Sequence, residues 1–287
     1  MYPARFDYHR ASSVAQALDL LAQKGDAKLL AGGHSLLPMM KLRLAQPANL
    51  IDIGGIAELR GIERTGGSVR IGALTTHAEI AASDALKRAC PIVAEAAAKI
   101  GDPQVRNRGT IGGNLSHADP GSDLPAVVRA LDATLHLVSK SGKRTAKAAD
   151  FFVDLLTTDI RDGEILTAVE VPVLGDGAGC CYLKFEHPAS GYAVVGAAAL
   201  VRLGKDGKCE SARLVFNGVT ATPLDATGVT GALAGKALDD ASIDQAVNGN
   251  LTATDPLGDV FASGEYRVHL AKVFGRRALK LARDRAS

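Results

Sequence analysis

The stretch Ile100 to Pro125, I-G-D-P-Q-V-R-N-R-G-T-I-G-G-N-L-S-H-A-D-P-G-S-D-L-P, sets Gly109, Gly112, Gly113 and Gly121 among few bulky side chains. Glycine lets a backbone adopt positive φ and lets N–H groups approach a ligand, and successive N–H groups form a concavity suited to phosphate. The stretch therefore predicts a binding loop. A second turn of this kind lies upstream, where the apolar strand Leu29-Leu30-Ala31 runs into Gly32-Gly33-His34-Ser35-Leu36. Two phosphate-type loops predict one extended ligand.

Outward from these turns, helices and strands alternate. Ser13-Val14-Ala15-Gln16 offers a capping box, Val14, Leu18 and Leu21 share a helical face, and Gly25 is placed to follow the helix. Strands at Lys28–Ala31 and Asn49–Ile53 make a β-loop-β unit with that helix as cover. Short strands at Leu59–Glu63 and Ser68–Gly72 precede a second capping box, Thr76-x-x-Glu79, and a helix from Ile92 to Ile100 leads into the glycine-rich segment. A short helix at Pro125–Ala130 follows, then strands of one mixed sheet at Thr134–Val138 and Ile165–Val171. The glycines of Leu174 to Gly179 predict a linker, hence domains 1–175 (subdomains about 1–55 and 56–175) and 176–287. Beyond it, Tyr182–Glu186, Tyr192–Leu203 and Cys209–Val219 predict a three-stranded antiparallel sheet. Helices close the chain, the last from about Glu265 to Ala282 with Tyr266, Leu270, Val273, Phe274 and Leu281 as its core stripe.

Composition excludes several classes. With 287 residues, 47% apolar and 22% charged, the chain has material for two domains, at roughly 100–200 residues each. No apolar run approaches membrane-spanning length, and M-Y-P-A-R-F-D-Y-H-R lacks an apolar signal core, which predicts a cytoplasmic protein. A net charge of +2 without charged blocks leaves no footprint for nucleic acid or anionic lipid. Cys90, Cys180, Cys181 and Cys209 lack C-x-x-C spacing and read as reduced packing residues; with no H-E-x-x-H either, any metal or iron–sulfur centre belongs on another chain. Neither G-x-G-x-x-G between strand and helix nor G-x-x-x-x-G-K-[ST] is present, and Ser116, His117 and Asp119 stand too close in sequence to form a triad.

In this order, A-G-G-H-S-L at Ala31–Leu36, D-P-Q-V-R-N-R-G-T-I-G-G-N at Asp102–Asn114, D-P-G-S-D-L-P at Asp119–Pro125 and the closing helix resemble the FAD-binding (medium) subunits of molybdenum hydroxylases. The likeness to this carbon monoxide dehydrogenase and xanthine dehydrogenase flavin-subunit family runs nearly end to end. It implies an α+β fold: a two-subdomain FAD-binding domain of the PCMH (vanillyl-alcohol-oxidase-like) type followed by a small C-terminal domain. It implies that Leu29, Leu30, Ala31, Gly32, Gly33, His34, Ser35 and Leu36 face Thr110, Ile111, Gly112, Gly113 and Asn114 across the FAD pyrophosphate. Backbone N–H groups and the Ser35 and Thr110 hydroxyls would do most of the binding. The resemblance also sets the Asp123 carboxylate at the ligand's sugar portion, Ile100, Leu166 and Lys184 beside the flavin or adenine, and Tyr192 against the isoalloxazine ring. From the residues alone, Asp123 reads as a loop or helix-capping aspartate, Ile100 and Leu166 as core, Lys184 as solvent-facing and Tyr192 as strand packing. His34 reads equally as a turn residue, and Arg106 and Arg108 as solvated or partner-facing.

The partners implied by the resemblance are a large subunit with the molybdenum cofactor and a small subunit with two 2Fe–2S clusters, assembled as a dimer of heterotrimers. Electrons would pass from the clusters through FAD to an external acceptor, while CO, an aldehyde or an N-heterocycle is oxidised elsewhere. Glu186 to Gly196, E-H-P-A-S-G-Y-A-V-V-G, departs from the carbon monoxide branch. Two other readings are a stand-alone FAD oxidoreductase of the same fold and a non-catalytic assembly subunit. The first needs its own acid or base near the flavin, and the intact glycine pairs oppose the second.

Overall fold

The computed structural model describes residues 1–286. Its N-terminal unit is a parallel sheet of β1 (Asp7–Arg10), β2 (Ala27–Leu30) and β3 (Asn49–Asp52) in the order β1-β3-β2, with α1 (Val14–Gln23) after β1 and α2 (Leu36–Lys41) after β2. Ser13 Oγ accepts from the Gln16 amide as the pattern predicts, but Gln16 Oε1 accepts from Ser12 N, one residue early for a capping box. The left-handed residue after α1 is Asp26 (φ 46°) rather than Gly25. Polar D-Y-H-R gives no strand signal for β1. Pro38 masks α2, although in a helix's first turn its missing N–H removes no intrahelical bond.

The chain continues through β4 (Ile62–Thr65), β5 (Ser68–Gly72), α3 (His77–Ala82), α4 (Asp84–Ala89), α5 (Pro91–Ala98), α6 (Pro103–Arg108), α7 (Ile111–His117) and α8 (Leu124–Ala130). It then forms β6 (Thr134–Ser139), β7 (Gly142–Lys147), α9 (Ala148–Phe151), the small hairpin β8 (Phe152–Asp154) and β9 (Thr157–Thr158), and β10 (Ile165–Pro172). Five of these strands make a sheet in the order β4-β5-β10-β6-β7. Every neighbouring pair is antiparallel, which corrects the expected mixed sheet. The predicted glycine-rich loop is also largely helical, since α6 and α7 occupy most of it.

The last third is a four-stranded antiparallel sheet, β11 (Ala178–Glu186), β12 (Ala193–Leu203), β13 (Cys209–Asn217) and the two-residue β14 (Leu224–Asp225), which is one strand more than predicted. Helices α10 (Thr227–Leu233), α11 (Asp240–Asn250) and α12 (Gly264–Asp284) cover it. Strand β11 begins inside the predicted linker. Gly179 serves close approach there, because a Cβ would collide with the Ala282 carbonyl near the end of α12. The buried face of α12 runs through Leu270, Ala271, Gly275, Ala278, Leu279 and Ala282, while Tyr266 of the predicted stripe stays 42% exposed. Small residues on that face let the helix lie close to the sheet; a Cβ on Gly275 would come 2.9 Å from Phe216 Cζ.

One apolar core joins Val69, Ile71, Ile92, Val127 and Val169 to Cys180, Tyr182, Ala198 and Val215, so β11, β12 and β13 pack on α5 and α8 as part of the same interior. Among the described residues, no helix is long and apolar enough to cross a membrane.

Candidate functional site: a cavity between two glycine segments

A cavity of about 490 Å³ is lined by the segment that leaves β2, the segment from Ile100 to Asp123, and the β11–β12 turn with Ser190 and Tyr192. That volume is in the range of small-molecule sites, roughly 300–1,000 Å³. Leu29, Ala31, Gly32, Gly33, His34, Ser35 and Leu36 form one wall, and Ile100, Thr110, Gly113, Asn114 and Asp123 contribute to the other. Leu30 instead faces an adjoining cleft of about 320 Å³, shared with Arg10, Arg60 and Arg108.

The turn after β2 is built to offer its backbone. Gly33 has φ 79°, and a Cβ on Gly32 would collide with the Arg108 carbonyl, so the two walls meet at a residue without a side chain. Among the described residues, the amides of Gly32, Gly33, His34, Ser35 and Leu36 have no acceptor in the chain; Leu37 N donates to Gly33 O at 3.1 Å, and the first bond of α2 itself runs from Met39 N to Ser35 O at 3.1 Å. Consecutive free amides beside a cavity form an anion-binding concavity. His34 Nδ1 lies 3.2 Å from Gly32 O.

The second segment works differently from its prediction. Thr110 caps α7, its Oγ1 accepting from Gly113 N at 3.2 Å. The Ile111 amide donates to Thr75 O (3.1 Å), Gly112 N to Ala73 O (2.8 Å) and Asn114 N to Thr110 O (2.9 Å). These N–H groups are therefore committed to the fold. Ile111 and Gly112 are buried behind the wall, and a Cβ on Gly112 would lie 2.6 Å from Ala73 Cβ. The cavity receives from this segment the Thr110 hydroxyl, the bare backbone of Gly113, and Asn114, whose Oδ1 is buried without a partner among the described residues while Nδ2 donates to Ser122 Oγ at 3.1 Å.

Asp123 occupies the N-cap position of α8 but makes no capping bond. Its carboxylate, 4% exposed, accepts from Tyr182 OH at 2.7 Å and pairs with Lys184 Nζ at 3.1 Å. Burial pushes this carboxyl up to about 6, against the opposing pull of Lys184 and Tyr182. Lys184 does not face solvent, contrary to the reading from its strand pattern. Its ammonium is enclosed and also donates to Lys99 O (2.6 Å) and Gly191 O (2.8 Å). It holds Asp123 in place from behind the cavity wall. Leu166 lies in the core on β10, 5% exposed, and is not brought to the cavity. Tyr192 is 44% exposed and borders the cavity beside Gly121.

The lining residue His77 carries no sequence signal. His77 begins α3 after the predicted Thr76 cap, and its ring is 2% exposed with Nδ1 unpartnered. Burial pushes its imidazole down to about 4, with repulsion from His34 adding to the effect. Arg106 braces the lip through Nη1, which donates to Ile100 O and Gly101 O at 2.9 and 3.1 Å.

Comparison with known proteins fits this geometry. Residues 4–174 match the family described as FAD binding domain in molybdopterin dehydrogenase, and residues 181–282 match the CO dehydrogenase flavoprotein C-terminal domain. The chain is 42% identical to the carbon monoxide dehydrogenase medium chain of Afipia carboxidovorans, covering 100% of this chain and 99% of that one. It is 40% identical to the glyceraldehyde dehydrogenase medium chain of Sulfolobus acidocaldarius, covering 98% and 99%. A solved structure of carbon monoxide dehydrogenase from Hydrogenophaga pseudoflava superposes with a TM-score of 0.96 at 41% identity, covering 100% of both chains. The chain thus belongs to the FAD-binding medium subunits of the molybdenum hydroxylases, a family of FAD-dependent oxidoreductases.

Proposed function

We propose that this chain holds one FAD in the cavity between the Gly32-Gly33 turn and Gly113, and relays electrons from 2Fe–2S clusters of a small partner subunit to an external acceptor. The observation that carries the reading is the run of unbonded amides from Gly32 to Leu36 beside a contact with no room for a side chain. A diphosphate, with about two negative charges near neutral pH, is matched by such charge-assisted donors. The Ser35 and Thr110 hydroxyls would add donors, Asp123 would accept from sugar hydroxyls, and Leu29, Ile100 and Tyr192 would flank the rings. Leu30, Ile111, Gly112 and Lys184 act from outside the cavity, by shaping its walls, and Leu166 serves the core. Bound FAD supplies an acceptor able to take electrons singly and release them in pairs.

The partners in this reading are a molybdenum-cofactor large subunit and the iron–sulfur subunit, in a dimer of heterotrimers. A cytoplasmic location suits Cys90, Cys180, Cys181 and Cys209, all buried free thiols. Substrate choice belongs to the large subunit: medium chains named for carbon monoxide and for glyceraldehyde are 42% and 40% identical to this one. CO, an aldehyde or an N-heterocycle all fit. We place the domain boundary at 175/176. Cofactor analysis of the native complex isolated through this chain should give one FAD per chain together with iron and molybdenum. Partners without flavin would refute the FAD assignment, and flavin without partners would point to a stand-alone oxidoreductase.

A further inference from the structure

The imidazole of His77 stands where the two glycine segments meet, yet among the described residues its ring makes no hydrogen bond. Gly32 lies against Arg108 O and Gly109, a Cβ on Gly109 would fall 2.9 Å from His77 Cδ2 and 3.0 Å from Nε2, and the His77 amide donates to Gly109 O at 3.0 Å. Nδ1 is buried without a partner among the described residues, whereas Nε2 lies on the ring edge that faces Gly109, and His77 and Gly109 both line the cavity. Burial keeps the ring neutral, so it carries one proton. A proton on Nδ1 would leave a buried donor unsatisfied, and a bare lone pair there is the lesser cost. The fold therefore selects the Nε2–H tautomer and presents a donor to the ligand space.

We propose that His77 is an FAD-binding residue whose Nε2–H donates to a diphosphate oxygen held between the Gly32-Gly33 turn and Thr110. The inference rests on the reading of this cavity as the FAD site. It adds a side-chain donor from a third segment, the start of α3, to the backbone donors of Gly32 to Leu36. It also explains why position 109 has no side chain: one would press on the donor edge of the ring.

The test uses the full chain in its native complex, deflavinated and titrated with FAD. His77→Phe keeps an aromatic ring and removes the donor, while His77→Gln places an N–H near the position of Nε2. FAD affinity should fall about tenfold in His77→Phe and no more than about threefold in His77→Gln, both folded by circular dichroism. Wild-type affinity in His77→Phe overturns the proposal, as does an equal loss in both variants, which would mark the ring as packing alone. A second measurement needs only the wild type. Deuterium exchange at the imidazole C2–H of His77, followed by mass spectrometry, should slow several-fold when FAD is added, and an unchanged rate overturns the proposal even where the variants misfold. Wild-type complex that takes up no FAD would instead overturn the underlying reading of the cavity.

Discussion

At the scale of single residues, Asp123 shows how much a motif conveys and how much it omits. G-S-D-L-P marks the carboxylate, but its hydroxyl partner Tyr182 is 59 residues away and its cation Lys184 is 61 away. Only the fold unites them. A carboxyl raised to about 6 in the folded chain, against its ordinary value of 3.8, binds more protons folded than unfolded between those pH values. The stability it contributes is therefore full below the unfolded value and is lost as pH rises through the folded one. Measured without FAD, the stability of wild type relative to Asp123→Asn should fall by on the order of 2 kcal/mol between pH 4 and pH 7. Denaturant midpoints of both proteins at the two pH values check this, and a constant difference would show that the carboxyl does not titrate in that range.

At the scale of elements, the turn from Ala31 to Leu36 was legible because an apolar strand ending in Gly-Gly is a local signal, and Gly33 does adopt positive φ. Helix α7 was not legible. Glycines weaken helix propensity, and I-G-G-N-L-S-H has no apolar period to announce one. What holds α7 is the Thr110 cap together with the carbonyls of Ala73 and Thr75, all supplied by tertiary contact. The two glycines of α7 consequently differ in role. Gly112 packs on Ala73 away from the ligand, so Gly112→Val should cost about 1–3 kcal/mol of stability by overpacking and weaken FAD binding only as α7 shifts. Gly113 lines the cavity, and its own Cβ would lie 3.0 Å from the capping Thr110 Oγ1 and 3.8 Å from Ala31 Cβ, so Gly113→Val should block FAD at a stability cost limited to the crowded α7 cap, about 1 kcal/mol. Flavin content measured beside thermal midpoints separates the two; an unchanged flavin content in Gly113→Val would contradict the cavity as the FAD site.

At the scale of the whole molecule, the cavity is finished by a half of the chain that contains neither glycine segment. Lys184 on β11 ties the end of α5 through Lys99 O, the β11–β12 turn through Gly191 O and the start of α8 through Asp123, so a single ammonium sets the spacing of three walls. The sequence pattern concealed this because a lysine between Leu183 and Phe185 has the alternation of a solvent-facing residue. Its enclosure follows from the packing of β11 on α5, a seam also fastened at the end of α12 by Arg285, whose Nη1 donates to Cys180 O at 2.8 Å and to Glu95 Oε2 at 2.9 Å. Removing one member of a buried ion pair strands the other, at a cost of about 3–5 kcal/mol. Lys184→Met should therefore lower the thermal midpoint and the FAD content together, and should raise the Asp123 carboxyl further, since the attraction that now opposes burial would be gone. Acidification protonates the stranded carboxylate, so the stability deficit of Lys184→Met relative to wild type should shrink between pH 7 and pH 5. Thermal melts of the full chain across that interval test the point: a deficit that does not shrink would mean that Lys184 acts through its carbonyl contacts alone, independently of the charge on Asp123.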